Sequence, residues 1–197
     1  MKGKKKMKRL LTLALVIAGA ALSAQAPAKT AAVKAPAFRK VKLLNADFSF
    51  PATKGIMNWK FQGPSFAGEM AVVTEDGAKA LKITPKETEY SKKTKTLRAI
   101  CQNGSSFRAG VGDTVKYDVE FKGEPGAIIG FILFSGTRNH WVKWQVKCDG
   151  KWQKGSYTMK LNEKMKLTSP NCFFAADVFH KSVYLRPVKV SVQKAAE

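Results

Sequence analysis

From Val41 onward the apolar residues recur at every second position. Val115, Tyr117, Val119 and Phe121 alternate with Lys116, Asp118, Glu120 and Lys122. A strand with one buried and one solvated face reads this way. The same alternation sets Leu97, Ala99 and Cys101 against Arg98, Ile100 and Gln102, and Val142, Trp144 and Val146 against Trp141, Lys143 and Gln145. Tyr157, Met159 and Leu161 repeat it, as do Val188, Val190 and Val192, while residues 128–134 are apolar on both faces, as in a central strand. Asp76-Gly77, Asn103-Gly104, Gly112-Asp113, Pro125-Gly126, Ser135-Gly136 and Asp149-Gly150 place turn chemistry between the runs. No window from Val41 on carries three amphipathic helical turns. Many short strands with regular turns predict an all-β, two-sheet antiparallel β-sandwich spanning residues 41–194.

Ahead of it, residues 1–9 hold six basic residues and no acid, residues 10–22 are mostly apolar, and Ser23-Ala24-Gln25-Ala26 is small and polar. This is the layout of a signal peptide over residues 1–26, cut after Ala24 or Ala26. Thirteen apolar residues reach roughly 20 Å as a helix, too short for a membrane span. A secreted or periplasmic protein is expected, with no lipid anchor because no cysteine precedes Cys101. Residues 27–40, rich in Ala, Pro and Lys, read as a flexible spacer.

Composition adds one strong bias: 35 Lys and Arg oppose 14 Asp and Glu, for a net charge of +21. Six of these cations belong to the leader, and the rest of the chain stays basic without them. The cluster at Lys92, Lys93, Lys95 and Arg98 is either a charge-protected strand edge or an attractor of acidic polymers. Sequence-specific nucleic-acid recognition has no motif here. Cys101, Cys148 and Cys172 permit one disulfide of three possible pairings, and equally permit inert core thiols.

Several segments in order, Leu43-Leu44-Asn45-Ala46-Asp47-Phe48, Phe107-Arg108-Ala109-Gly110 leading into residues 114–121, and residues 183–190, resemble the jelly-roll carbohydrate-binding modules of families four, nine, sixteen and twenty-two, within the galactose-binding-like group. The resemblance spans about residues 43–192 and implies a jelly roll that binds glycans without catalysis. Ala46 and Ser49 replace the family's Gly and Glu, and Arg186-Pro187 replaces its late acidic residue. With Asp47 left alone, the family's structural calcium site is expected to be lost, and no cofactor is expected.

Sugars are held by flat aromatic rings rimmed with planar hydrogen-bonding groups. The alternation turns Trp141 away from the core together with Lys143 and Gln145, and Arg98 and Gln102 away from it on an earlier strand. With Asn139 in the preceding loop and Tyr90 in another, these seven are the candidate glycan-binding residues, for a ligand that the basic charge allows to be acidic. Trp144 is expected in the core from its parity, and the resemblance implies the same for Trp59 and Trp152. His140 and His180 stand in no nucleophile motif, and Asp118 and Glu120 sit on a simple solvated face, so no catalytic residue is assigned.

Overall fold

The computed structural model describes residues 36–49, 51–52, 55–56 and 58–196. The expected signal peptide and most of the spacer lie outside the described residues. The strands are β1 (Arg39–Val41), β2 (Pro51–Ala52), β3 (Gly55–Ile56), β4 (Trp59–Phe61), β5 (Gly68–Glu75), β6 (Ala78–Pro85), β7 (Arg98–Arg108), β8 (Thr114–Gly123), β9 (Ile128–Ser135), β10 (Arg138–Lys147), β11 (Gln153–Lys160), β12 (Asn171–Phe179), β13 (Val183–Leu185) and β14 (Lys189–Gln193). One short helix, α1 (Glu89–Thr94), lies between β6 and β7.

Two antiparallel sheets form the expected sandwich. One has seven strands and the other five, in the order β10-β9-β12-β7-β4. In the larger sheet β8 is central. β11 runs along one edge of it, while β14 and β13 share the other edge end to end, at residues 114–118 and 121–123. Arg186-Pro187 falls at the break between these two, where proline has no N–H for the ladder. Beyond β13 come β6 and β5, and beyond β14 comes β1. Arg39 and Lys40, read as spacer, already pair with Val192 and Ser191, so the first strand begins ahead of Val41.

Between the sheets, the alternation of β8 holds throughout: Val115, Tyr117 and Phe121 are fully buried and Val119 nearly so. Facing them are Phe131 and Leu133 of β9 and Cys172, Phe174 and Val178 of β12. Phe174 meets the Tyr117 ring edge-on at 4.9 Å and the Trp59 ring at 6.2 Å, an arrangement favoured by the ring quadrupoles. Trp59 is core as expected, its indole N–H donating to the Asn45 carbonyl. The side chain of Trp144 lies outside the description.

All three cysteines are buried and free. Burial pushes the Cys148 and Cys172 thiols up to about 11 and Cys101 further still. Of the two readings open for them, inert core thiols is the one observed.

Trp152 departs from expectation. It sits half-buried on the outside of the larger sheet, stacked on the Arg186 guanidinium at 4.1 Å, and donates its N–H to Asp76. The segment holding Lys92 and Lys93 also departs from the strand-edge reading: it is helix α1, entered through a capping box in which Thr88 and Ser91 satisfy each other's backbone N–H.

Candidate functional site

The outer face of the five-stranded sheet is apolar where most sandwich faces are polar. Ile100, Ile132, Phe134 and Ala175 form a second buried cluster there, separate from the core between the sheets, with Phe66, Phe173 and Trp141 packed on it. Register aligns the face in rows. Arg98 stands beside Phe179, Ile100 beside Asp177 and Gly130, Gln102 beside Ala175, Ile132 and Trp141, and Phe173 beside Phe134 and Asn139.

Two structures rise over this floor. On one side, β4 continues along β7 through the Gln62 N–H to the Ile100 carbonyl, and Gly63, at φ +72°, turns the chain into a 3-10 turn at Pro64–Phe66. Thr88 pins that turn by donating from its hydroxyl to the Ser65 carbonyl at 3.2 Å. On the other side is the tight β9–β10 hairpin. Thr168 holds it, donating to the Ser135 carbonyl and accepting from the Thr137 N–H at 3.1 Å. Between them lies a cleft of about 350 Å³ lined by Gln62, Phe66, Ile100, Phe134, Gly136, Thr137 and Asn139. None of these seven ionises near neutral pH.

Arg98 anchors the adjoining wall. Its Nε and Nη2 donate to the two carboxylate oxygens of Asp177 at 2.9 and 2.8 Å, a bidentate pair. Its guanidinium is 4.9 Å from the Phe66 ring centre, 5.1 Å from that of Phe179 and 5.8 Å from that of Trp141. The Asp177 side chain is fully buried and that of Arg98 is 17 % exposed. Burial pushes the Asp177 carboxyl above its usual range, with Arg98 pulling the other way. Burial also works against the Arg98 charge, but the bonds to Asp177 and the Tyr90 hydroxyl outweigh it and raise its pKa.

Of the seven candidates from the sequence, Arg98, Trp141, Asn139 and Tyr90 gather around this cleft. Tyr90 reaches it from α1, its ring 5.0 Å from Phe66. Gln102 lies on the same face, buried. Lys143 does not join them. A register shift between Trp141 and Lys143 sets Lys143 opposite the inward-facing Phe131, and its Nζ stands 5.6 Å above Tyr157. Gln145 falls within a second irregularity, between Lys143 and Val146, and is exposed. Strict alternation cannot survive such bulges, because each extra residue reverses the facing of the residues after it.

Sequence reasoning missed Phe66, Gln62, Phe134 and Asp177. Gly63-Pro64 signals a turn after the Trp59 strand, which was the available pointer to Phe66. Asp177 carried no signal, because its Arg98 partner is 79 residues away.

Asp47 accepts from the Ser49 N–H and hydroxyl, and Arg186 pairs with Glu120. Among the described residues no helix is long and apolar enough to cross a membrane.

No family model and no curated protein matches the chain. Solved structures do. A cyclase from Fischerella sp. TAU, in complex with 4-(1H-indol-3-yl)butan-2-one, is 9 % identical over 81 % of this chain and 100 % of its own, at a TM-score of 0.54. A family 61 carbohydrate-binding module, in complex with β-1,4-galactotriose, is 12 % identical over 75 % of this chain and 95 % of its own, at 0.48. A family 4 module is 14 % identical over 77 % and 100 %, at 0.47. At 9 % identity the likeness to the cyclase is one of fold alone.

Proposed function

We propose that this chain is an exported, non-catalytic carbohydrate-binding module that lays sugar rings in the cleft between the Phe66 turn and the β9–β10 hairpin. The observation that carries this reading is the lining itself. Phe66 and Phe134 offer apolar surface for a sugar's C–H face, while Gln62, Asn139 and Thr137 offer amide and hydroxyl groups for its hydroxyls. A shared fold does not choose between a cyclase and a sugar binder, so the site must. Acid–base catalysis needs a titratable group at the reacting atoms, and the lining supplies none. The jelly-roll resemblance in the sequence supports the same reading, and a basic, signal-bearing chain suits the outside of a cell.

The test is isothermal titration against the best ligand from a glycan array, comparing wild type with Phe66→Ala and Trp141→Ala. Each truncation removes a ring next to the cleft and is expected to weaken binding by about tenfold, the scale of one aromatic contact and its burial. Melting curves check that both variants fold. No binding to any glycan, or binding untouched by both truncations, would overturn the reading.

A further inference from the structure

In a chain of net charge +21, the cation beside the cleft, Arg98, is cancelled in place. Both nitrogens that Arg98 directs at Asp177 are spent on a fully buried carboxylate, and three aromatic rings surround the guanidinium. The seven lining residues add no charge. An anion entering the cleft would lose its hydration and find no positive charge among the lining residues, which disfavours it by the ordinary cost of desolvating an ion. An uncharged polyol faces no such cost.

Resting on the glycan-binding reading, we infer that the cleft takes an uncharged saccharide and excludes uronate and sulfated chains, and that Asp177 sets this selectivity by neutralising Arg98. Asp177 is a positioning residue. It touches Arg98 and not the ligand. The basic surplus elsewhere on the surface then acts separately from the cleft and does not decide what enters it.

The readout must report on Arg98 alone, because exposed lysines will attract acidic polymers anywhere on the surface. Nitrogen-15 labelling of arginine gives a resolved Nε–H resonance for a guanidinium held this firmly. The full chain is titrated with uncharged oligosaccharides (gluco-, galacto-, xylo- and manno-series), with oligogalacturonate, and with sulfate. The wild-type Arg98 resonance is expected to move with an uncharged series and to stay still with oligogalacturonate and sulfate. In Asp177→Asn, whose amide oxygen still accepts from Arg98, oligogalacturonate is expected to bind at least about tenfold more tightly than to wild type at low salt. Half-molar salt, where the Debye length is only a few ångström, should erase that gain. A wild-type Arg98 resonance that moves with oligogalacturonate overturns the inference, as does a folded Asp177→Asn with no gain. Should Asp177→Asn fail to fold, the wild-type titration with anions decides alone. If no saccharide of either kind moves the resonance, the glycan reading falls and the inference that rests on it falls too, whereas movement with both kinds overturns the inference alone.

Discussion

The Arg186 guanidinium lies 4.1 Å from the centre of the Trp152 ring, on the face of the larger sheet that points away from the cleft. Arg186 is also bonded to Glu120 at 2.6 Å, and Trp152 to Asp76, which Lys122 contacts in turn. One chain of contacts thereby ties β8, the β5–β6 turn, the β13–β14 break and the segment before β11. Trp152 is a fastening of the sheet's outside, and its position separates stability from binding.

Trp152→Ala is therefore expected to lower stability by about 1 kcal/mol, the scale of a half-buried cation–π contact. Glycan affinity should not change, because Trp152 and the cleft lie on opposite sheets. Urea denaturation together with titration checks both parts. A loss of affinity without a loss of stability would move the binding face to the larger sheet.

The rhythm of the sequence told inside from outside wherever a strand was regular. Every assignment along β8 stands, because its partners β11 and β14 run with it residue for residue. It failed at Lys143, where β10 slips its register, while Trp152, placed in the core by the family resemblance, belongs to a connection outside the strands. The cleft was half legible. Trp141, Arg98 and Asn139 follow from strand parity and its neighbouring loop. Phe66 and Asp177 depend on which segments cross the sheet, and that is set by pairing between residues far apart in the chain. The sequence also could not say that Ile100, Gln102 and Ile132 would be buried on an outer face, since a covered outer face has the same period as a solvated one.

Removing either partner of the Arg98–Asp177 pair alone should be severe. Arg98→Met leaves a carboxylate that is 0 % exposed without its cation, a change that costs about 3–5 kcal/mol in comparable buried pairs. Removing both, as Arg98→Met with Asp177→Leu, is expected to recover most of that loss, since neither charge then remains to be desolvated. A double-mutant cycle by urea denaturation gives the coupling. If Arg98→Met costs under about 1 kcal/mol, water reaches Asp177 and the pair is not buried as described.

Asp113 holds the C-terminal segment. Burial alone would raise its pKa, but Lys194 at 2.8 Å and the backbone N–H groups of Gly110 and Ala195 outweigh that and hold it below the usual carboxylate range. A carboxylate with a depressed folded pKa stabilises the fold above its unfolded value near 4, and that contribution disappears as pH falls through the folded value. Amide exchange at Ala195 and Gly110 should therefore lose protection as pH drops below about 4, before the core amides of β8 do. In Asp113→Asn the protection should already be low at neutral pH and change little with acid. Equal pH profiles in the two proteins would show that Asp113 does not hold the tail.

Thr168 bonds the backbone of Ser135 and Thr137, and so sets one wall of the cleft. Its hydroxyl donates to the Ser135 carbonyl and accepts from the Thr137 N–H, closing the hairpin around Gly136, whose φ of +59° only a residue without Cβ adopts readily. Thr168→Val keeps the shape of the side chain and removes both bonds. On this partly exposed hairpin the loss of stability should be about 1 kcal/mol. The effect on binding should exceed that expected from stability alone, because Thr137 and Asn139 would no longer be held at a fixed distance from Phe66. Severalfold weaker glycan binding at a temperature where the variant is fully folded is the expected result, with the loss arising in dissociation more than in association. Thr168→Ser, which keeps the hydroxyl, should restore affinity. If Thr168→Val binds as wild type does, the hairpin is rigid without this bond and the wall is set by strand pairing alone.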